Sequence, residues 1–363
     1  MPKIDSFLKL GLQNGCSDVH LAVGVPPMLR LHGELMPIKF RDLADAELEG
    51  YINEILTGRQ SETFLSGHDV DFSYVSEDGG RFRVNLFRKA TGVGATFRYI
   101  PTQVPTLESL NLPGILAQLA EHHQGMVLVT GSTGTGKSTT LAAMINHLNQ
   151  TRQLNIISLE DPIEFVHDSN ECQIVQRELE THLPDFAVGI RAALREDPDV
   201  ILVGELRDAE TIMMAMTAAE TGHLVLGTLH TIGAVKTIDR MIDALPSDYR
   251  EQTKAFLSQS LNAVVTQNLV KTPDGKGRRA VLEILVMTRA ISNLIMTEQT
   301  HMIPSQLQTG QDYGMQLMDQ ALLDAIQSKT IDAGDAVRFA NDKSLFEKFV
   351  TSTVNMTLTQ VAK

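Results

Sequence analysis

Gly131-Ser132-Thr133-Gly134-Thr135-Gly136-Lys137-Ser138 is a complete G-x-x-x-x-G-K-[ST] loop. It follows an apolar run at 126–130 that reads as a strand, and it opens a helical pattern over 138–148. A loop set between strand and helix in this way holds phosphates. Glycines let backbone N–H groups converge on phosphate oxygens with no Cβ in the way. The helix N-terminus adds roughly half a positive charge, and Lys137 can place its ammonium on the β- and γ-phosphates. Ser138 then stands where Mg²⁺ is held, with Thr139 beside it. A nucleotide site over residues 131–139 is the first expectation.

Working outward, further apolar runs without alternation recur at 156–159, 200–203 and 224–229, each followed by a helical pattern. Such runs suit a parallel sheet covered on both faces. Before the loop the texture differs. Residues 69–74 and 81–87 alternate with period two around Gly79-Gly80, 94–100 supplies another strand, and 28–35 reads as two short strands around Gly33. Residues 1–100 therefore read as a small α+β domain with a meander-like sheet. The proline-containing stretch from Ile100 to Thr106 marks a linker, taken as 101–112, with an α/β domain over 113–363. From about 283 the chain reads as helical, and Met315, Met318, Leu322, Ala325 and Ile326 form a core-facing stripe. Met213, Met214 and Met216 read as core filling.

Composition bounds the rest. The chain has 363 residues, 43% of them hydrophobic, and no tryptophan, so a sizeable core must rest on aliphatic side chains and methionine. A net charge of −13 argues against a surface devoted to nucleic acid. Cys16 and Cys172 are too few for a four-cysteine zinc site or a disulfide framework, and read as buried thiols of a reducing compartment. Residues 1–15 form an amphipathic pattern with Ile4, Phe7, Leu8 and Leu12 on one face, without the apolar core of a signal peptide. No stretch reaches the roughly 18 apolar residues that span a bilayer. A cytoplasmic protein able to dock on a membrane-embedded partner is expected.

Three more segments carry chemistry. Glu160-Asp161-Pro162-Ile163-Glu164 ends an apolar run, and strand C-termini in a parallel sheet line the ligand crevice. Alone it also suits a solvated acidic turn, but beside a phosphate loop its acids can orient water and hold Mg²⁺ through its shell. Asp199 to Glu205 is an apolar strand capped by an acid, resembling a Walker B strand with Glu205 in place of the usual aspartate. His223 and His230 bracket the run at 224–229. A lone histidine is often structural, but His230 falls at the strand's C-terminal end and is the better candidate for sensing a γ-phosphate. The chain has no Asn-Lys-x-Asp guanine reader, which favours ATP.

In this order, these segments make the chain resemble the secretion and type IV pilus ATPases, and within them the retraction ATPases of the PilT/PilU family. Gly15 to Leu21 and Gly24 to Met28 look like the opening of that family's PAS-like N-terminal domain. Residues 160–164 look like its Asp box, 203–208 like its atypical Walker B, 217–230 like its His box, and 236–240 and 314–322 follow its pattern. The resemblance implies a PAS-like α+β domain over 1–100 and a RecA-like ATPase domain beyond. It implies Glu164 as the catalytic glutamate polarising water, and Glu205 acting with Ser138, and Glu160 nearby, on Mg²⁺. His230 would sense the γ-phosphate, and Arg83 and Arg98 would reach phosphates when domains close. It further implies ATP and Mg²⁺, a homohexamer, an inner-membrane pilus platform protein as partner, and twitching motility and DNA uptake as outcomes. Residues 290–296 read Ala-Ile-Ser-Asn-Leu-Ile-Met where retraction ATPases usually carry Ala-Ile-Arg-Asn-Leu-Ile-Arg. That departure leaves two roles open: retraction motor, or an accessory ring working through a PilT/PilU-type partner. Assembly ATPases carry a longer N-terminal region and commonly a zinc site. A ring that pumps nucleic acid is disfavoured by the acidic balance.

Overall fold

Period-two alternation becomes antiparallel sheet where one face has a core to bury in and the other does not. The computed structural model describes residues 2–31, 34–100, 103–347 and 349, and its contacts divide the chain into two units. The first unit spans 1–103 with 162–166. Its strands are β1 (Asp18–Ala22), β2 (Met28–Leu31), β3 (Glu34–Pro37), β4 (Val70–Val75), β5 (Arg81–Lys89) and β6 (Gly92–Ile100). They lie in the order β3-β2-β1-β6-β5-β4, with antiparallel neighbours throughout. The apolar halves of β4, β5 and β6, including Phe72, Phe82, Val84, Leu86 and Phe97, pack against helices α1 (Asp5–Gln13), α2 (Asp45–Asn53) and α3 (Gly58–Leu65). Ile4, Phe7 and Leu8 are buried in that core and Leu12 packs on it, as the amphipathic reading requires. Gly33, where a turn is expected, and Pro101 and Thr102 of the linker stretch lie outside the described residues.

The second unit spans 104–161 and 167–363. Its strands are β7 (Gly125–Thr130), β8 (Asn155–Glu160), β9 (Gln173–Glu178), β10 (Val200–Val203), β11 (Leu224–Leu229), β12 (Leu261–Lys271) and β13 (Arg278–Val286). The order is β13-β12-β7-β11-β10-β8-β9, parallel except for the β12–β13 hairpin. The four apolar runs are β7, β8, β10 and β11. Met126 and Leu128 of β7 enter one core and Val127 and Val129 the other, so a strand buried on both faces needs no alternation. The covering helices are α4 (Ile115–Ala120), α5 (Lys137–Thr151), α6 (Phe186–Ala193), α7 (Ala209–Glu220), α8 (Ala234–Asp243), α9 (Arg250–Ser260), α10 (Arg289–Met296), α11 (Ile303–Thr309), α12 (Met318–Gln327) and α13 (Ala333–Ala336). Leu107, with Leu110 and Leu112, packs into the core under α4 and α5.

The helical tail begins later than about 283. Residues 278–286 are a strand because β13 pairs with β12 along its whole length, and Ile284 and Leu285 feed opposite cores. The first helix after it starts at Arg289. In the tail, Met318, Leu322 and Ile326 are buried together with Val270 and Val281, and Ala325 packs against them. Met315 enters the larger core, which also takes Met216 and is flanked by Met213 and Met214. Both cysteines are buried free thiols. Among the described residues no helix is long and apolar enough to cross a membrane.

Candidate nucleotide-binding site

The parallel register of β7, β11, β10 and β8 brings their C-terminal ends to one edge, and the acidic, histidine and glycine segments all leave the sheet there. β7 ends at Thr130, whose hydroxyl is 2.9 Å from that of Thr266 on β12. The chain then turns with φ of 139° at Gly131 and 87° at Gly136. A Cβ at Gly131 would lie 2.4 Å from the Gln267 carbonyl oxygen, and one at Gly136 2.9 Å from Gln267 Nε2. Both positions therefore exclude side chains on conformational and steric grounds. Lys137 is only 9% exposed and donates from Nζ to the carbonyl oxygens of Gly131 at 3.0 Å and Ser132 at 3.2 Å. No side chain caps the start of α5. This glycine cradle, a helix start without a side-chain cap and an ammonium curled under the loop together fit a polyphosphate. Ser132, Thr133 and Gly134 are exposed, Thr135 is buried, and Ser138 and Thr139 sit half-buried on the first turn of α5.

The acids of the neighbouring strands are held individually. Glu160, at the end of β8, accepts from Ser158 Oγ at 2.7 Å and from Gln176 Nε2 at 3.0 Å through the same oxygen. Glu205 follows β10, where the Gly204 N–H donates to the Leu159 carbonyl at 2.8 Å and Thr228 Oγ1 donates to the Gly204 carbonyl at 2.5 Å. One Glu205 oxygen is 2.7 Å from Arg207 Nη2 and the other 3.0 Å from His230 Nε2. Burial pushes the Glu205 carboxyl up, but the Arg207 hydrogen bond and charge, aided by His230, more than offset this and hold it below its ordinary value. Arg207 is 60% exposed, so solvent screens the pair, and its worth to stability is at most about 1 kcal/mol. What the pair fixes is orientation and ionisation. His230 turns its other ring nitrogen towards Thr133 Oγ1 at 3.5 Å, linking the acid of β10 to the glycine loop. His223 stands at the other end of β11, with Nδ1 2.9 Å from the Ala218 carbonyl at the end of α7. It is a structural histidine.

On the first unit, Arg83 and Arg98 are directly opposite one another on β5 and β6. The same row continues through Asp18 on β1 to Arg30 on β2. Arg98 donates from Nε to Asp18 Oδ1 at 2.9 Å, and Ser17 Oγ donates to Oδ2 at 2.8 Å. Burial pushes the Asp18 carboxyl up, and Ser17 and Arg98 outweigh it, leaving it below its usual value. The Arg98 side chain is 68% exposed, so Asp18 anchors its base while its end stays in solvent. Glu164 is exposed, in the 162–166 segment grouped with this unit.

Sequence reasoning gave no role to Arg207, although an acid followed two residues later by an arginine is a readable pair. It also passed over Gln267, whose only local signal is an amide inside an otherwise apolar strand. Among the described residues no three His, Cys, Asp or Glu side chains converge as a metal-holding group.

The family model described as "Type II/IV secretion system protein" matches residues 107–332. The chain is 50% identical over 312 residues to the "Twitching motility protein" of Neisseria gonorrhoeae, covering 86% of this chain and 83% of that one. It is 45% identical over 319 residues to the "Type IV pilus retractation ATPase PilT" of Pseudomonas aeruginosa, covering 88% and 92%. The crystal structure of the pilus retraction motor PilT with bound ADP superposes with a TM-score of 0.89 at 38% identity, over 95% of this chain and 99% of that one.

Proposed function

The chain belongs to the Type II/IV secretion system protein family, as an ATPase with an N-terminal α+β unit and a RecA-like unit, and from that premise we propose that it powers retraction of a type IV pilus. The observation that carries the reading is the link from the loop through Thr133 and His230 to Glu205, in a chain similar over most of its length to two proteins named for twitching and retraction. Residues 131–139 hold the ATP phosphates, and Lys137 leaves its loop carbonyls for phosphate oxygens. Ser138, Glu205 and Glu160 are the groups that would hold Mg²⁺, directly or through its water shell, and the ion would supply positive charge to offset that of the phosphates. Glu164 orients and deprotonates the attacking water, and His230 reports the γ-phosphate to the strand carrying Glu205. Arg83 and Arg98 supply mobile guanidinium charge to phosphoryl oxygens, for which a planar fork is suited. We assign a homohexamer at the cytoplasmic face of the inner membrane, passing its motion to a membrane-embedded platform protein.

Glu205 gives this reading a pH signature. Its carboxyl is depressed, so the ionised form prevails above that depressed value and is lost as pH falls through it. Arg207→Gln removes the largest lowering contact and raises that value, moving the acid limb of the ATP turnover profile to higher pH. Turnover measured across the acid range checks this, and an unmoved limb would contradict the role given to the pair.

One observation favours a second reading, an accessory ring that assists a PilT/PilU-type partner. Ser292 on α10 donates to the Ser258 carbonyl of α9 at 2.7 Å, and Met296 is 42% exposed, so neither position offers the guanidinium usual in retraction ATPases. Deleting the gene and counting surface pili separates the readings. Excess pili is the expected result; no pili would mean assembly, and an unchanged number the accessory role.

A further inference from the structure

We propose that Gln267 is a positioning residue that sets the phosphate loop for nucleotide before nucleotide arrives. The inference rests on reading residues 131–139 as a nucleotide site. Gln267 lies on β12, beside the loop strand, and is only 2% exposed. Its Oε1 accepts from Thr140 Oγ1 at 2.7 Å, at the end of the first turn of α5. Its Nε2 donates to the Thr135 carbonyl at 2.6 Å. A carbonyl can only accept, which fixes which end of the amide faces it. Of the buried side chains of this length, only an amide offers a donor to one partner and an acceptor to the other at neutral pH.

The geometry reaches the loop at both ends. The Gln267 backbone oxygen fills the space a side chain at Gly131 would need, and its Nε2 the space one at Gly136 would need. Across a planar trans peptide the C=O and the following N–H point in opposite directions. Holding the Thr135 carbonyl against β12 therefore turns the Gly136 N–H away from β12. Without Gln267, that peptide is free to turn in the absence of ligand, and nucleotide must order it on binding. Once phosphate occupies the loop, its own hydrogen bonds hold the peptide. The effect belongs to affinity more than to the chemical step.

The test uses the full-length protein, with a fluorescent ADP analogue for Kd and ATP for kcat and KM. Gln267→Met keeps length and apolar volume, and raises Kd about tenfold while kcat falls by less than about threefold. Thr140→Val leaves Gln267 in place and removes one of its two bonds, raising Kd about threefold, which keeps the inference testable if Gln267→Met folds poorly. Gln267→Glu places a carboxylate oxygen against the Thr135 carbonyl. Its binding is weak near about pH 8 and recovers relative to wild type near about pH 6, where a buried carboxyl is protonated and donates as the amide does. A purely structural role would lower Tm and the active fraction, leave Kd of the folded protein unchanged, and show no recovery at low pH. Unshifted Kd in Gln267→Met and Thr140→Val, or an equal loss in Gln267→Glu at both pH values, would overturn the proposal. Failure of the wild-type chain itself to bind the analogue would instead refute the nucleotide reading.

Discussion

Replacing Glu164 by glutamine lowers ATP turnover by about 10²–10⁴-fold while nucleotide still binds, the range expected when a positioned general base is removed. The other acids at the strand ends are already engaged. Glu205 is held by Arg207 and His230, and Glu160 by Ser158 and Gln176. Glu164 is exposed in the loop that follows β8, and a glutamine there disturbs no core. The amide keeps the shape and can still hydrogen-bond water, but it cannot accept a proton. Because the lost interaction belongs to the transition state, kcat and kcat/KM should fall together, with the Kd for ADP changed by less than about threefold. Phosphate release and analogue binding measured on the same preparation check both halves. Full turnover in Glu164→Gln would remove Glu164 from the mechanism.

Lys137→Ala gives the second large effect, and of a different kind: both binding and turnover collapse. Turnover falls by at least about 10²–10³-fold, the cost of removing one preorganised donor from developing charge. The ammonium is nearly buried and makes two hydrogen bonds to loop carbonyls. Its removal therefore takes away the phosphate's cationic partner and loosens the loop that presents the N–H groups. Arginine does not restore function, because a planar fork cannot occupy the place of a compact ammonium beneath the loop. Calorimetric titration with ADP, run beside the turnover assay, separates this loss from the Glu164→Gln behaviour.

What could be read from the sequence was local. Residues 131–138 announce themselves because glycine and lysine positions there are dictated by backbone geometry within a few residues. The strands β7, β8, β10 and β11 are legible because burial on both faces makes them apolar throughout. β12 is not, since Thr266, Gln267 and Asn268 interrupt its apolar pattern, and the last residues of β13, from about 283, read as the start of a helical tail although they pair with β12. The site's wiring was less legible still. Glu205 could be placed at a strand end, but its bond to His230 depends on β10 and β11 being neighbours, which is a property of the sheet order. Gln267 meets Thr135 across 132 positions of chain and Thr140 across 127. No local pattern assigns such partners. The two histidines show the same division: position in sequence already sets His230 at the C-terminal end of the strand and His223 at its start, but the Thr133 and Glu205 partners of His230 come from other strands' loops.

The most direct test is the rate at which the purified full-length chain releases phosphate from ATP. Steady turnover is predicted for the wild-type chain, lost in both Glu164→Gln and Lys137→Ala, with ADP binding kept in the first and lost in the second. No turnover in the wild type, or turnover undiminished in both variants, would contradict a motor driven from the loop at Gly131–Ser138.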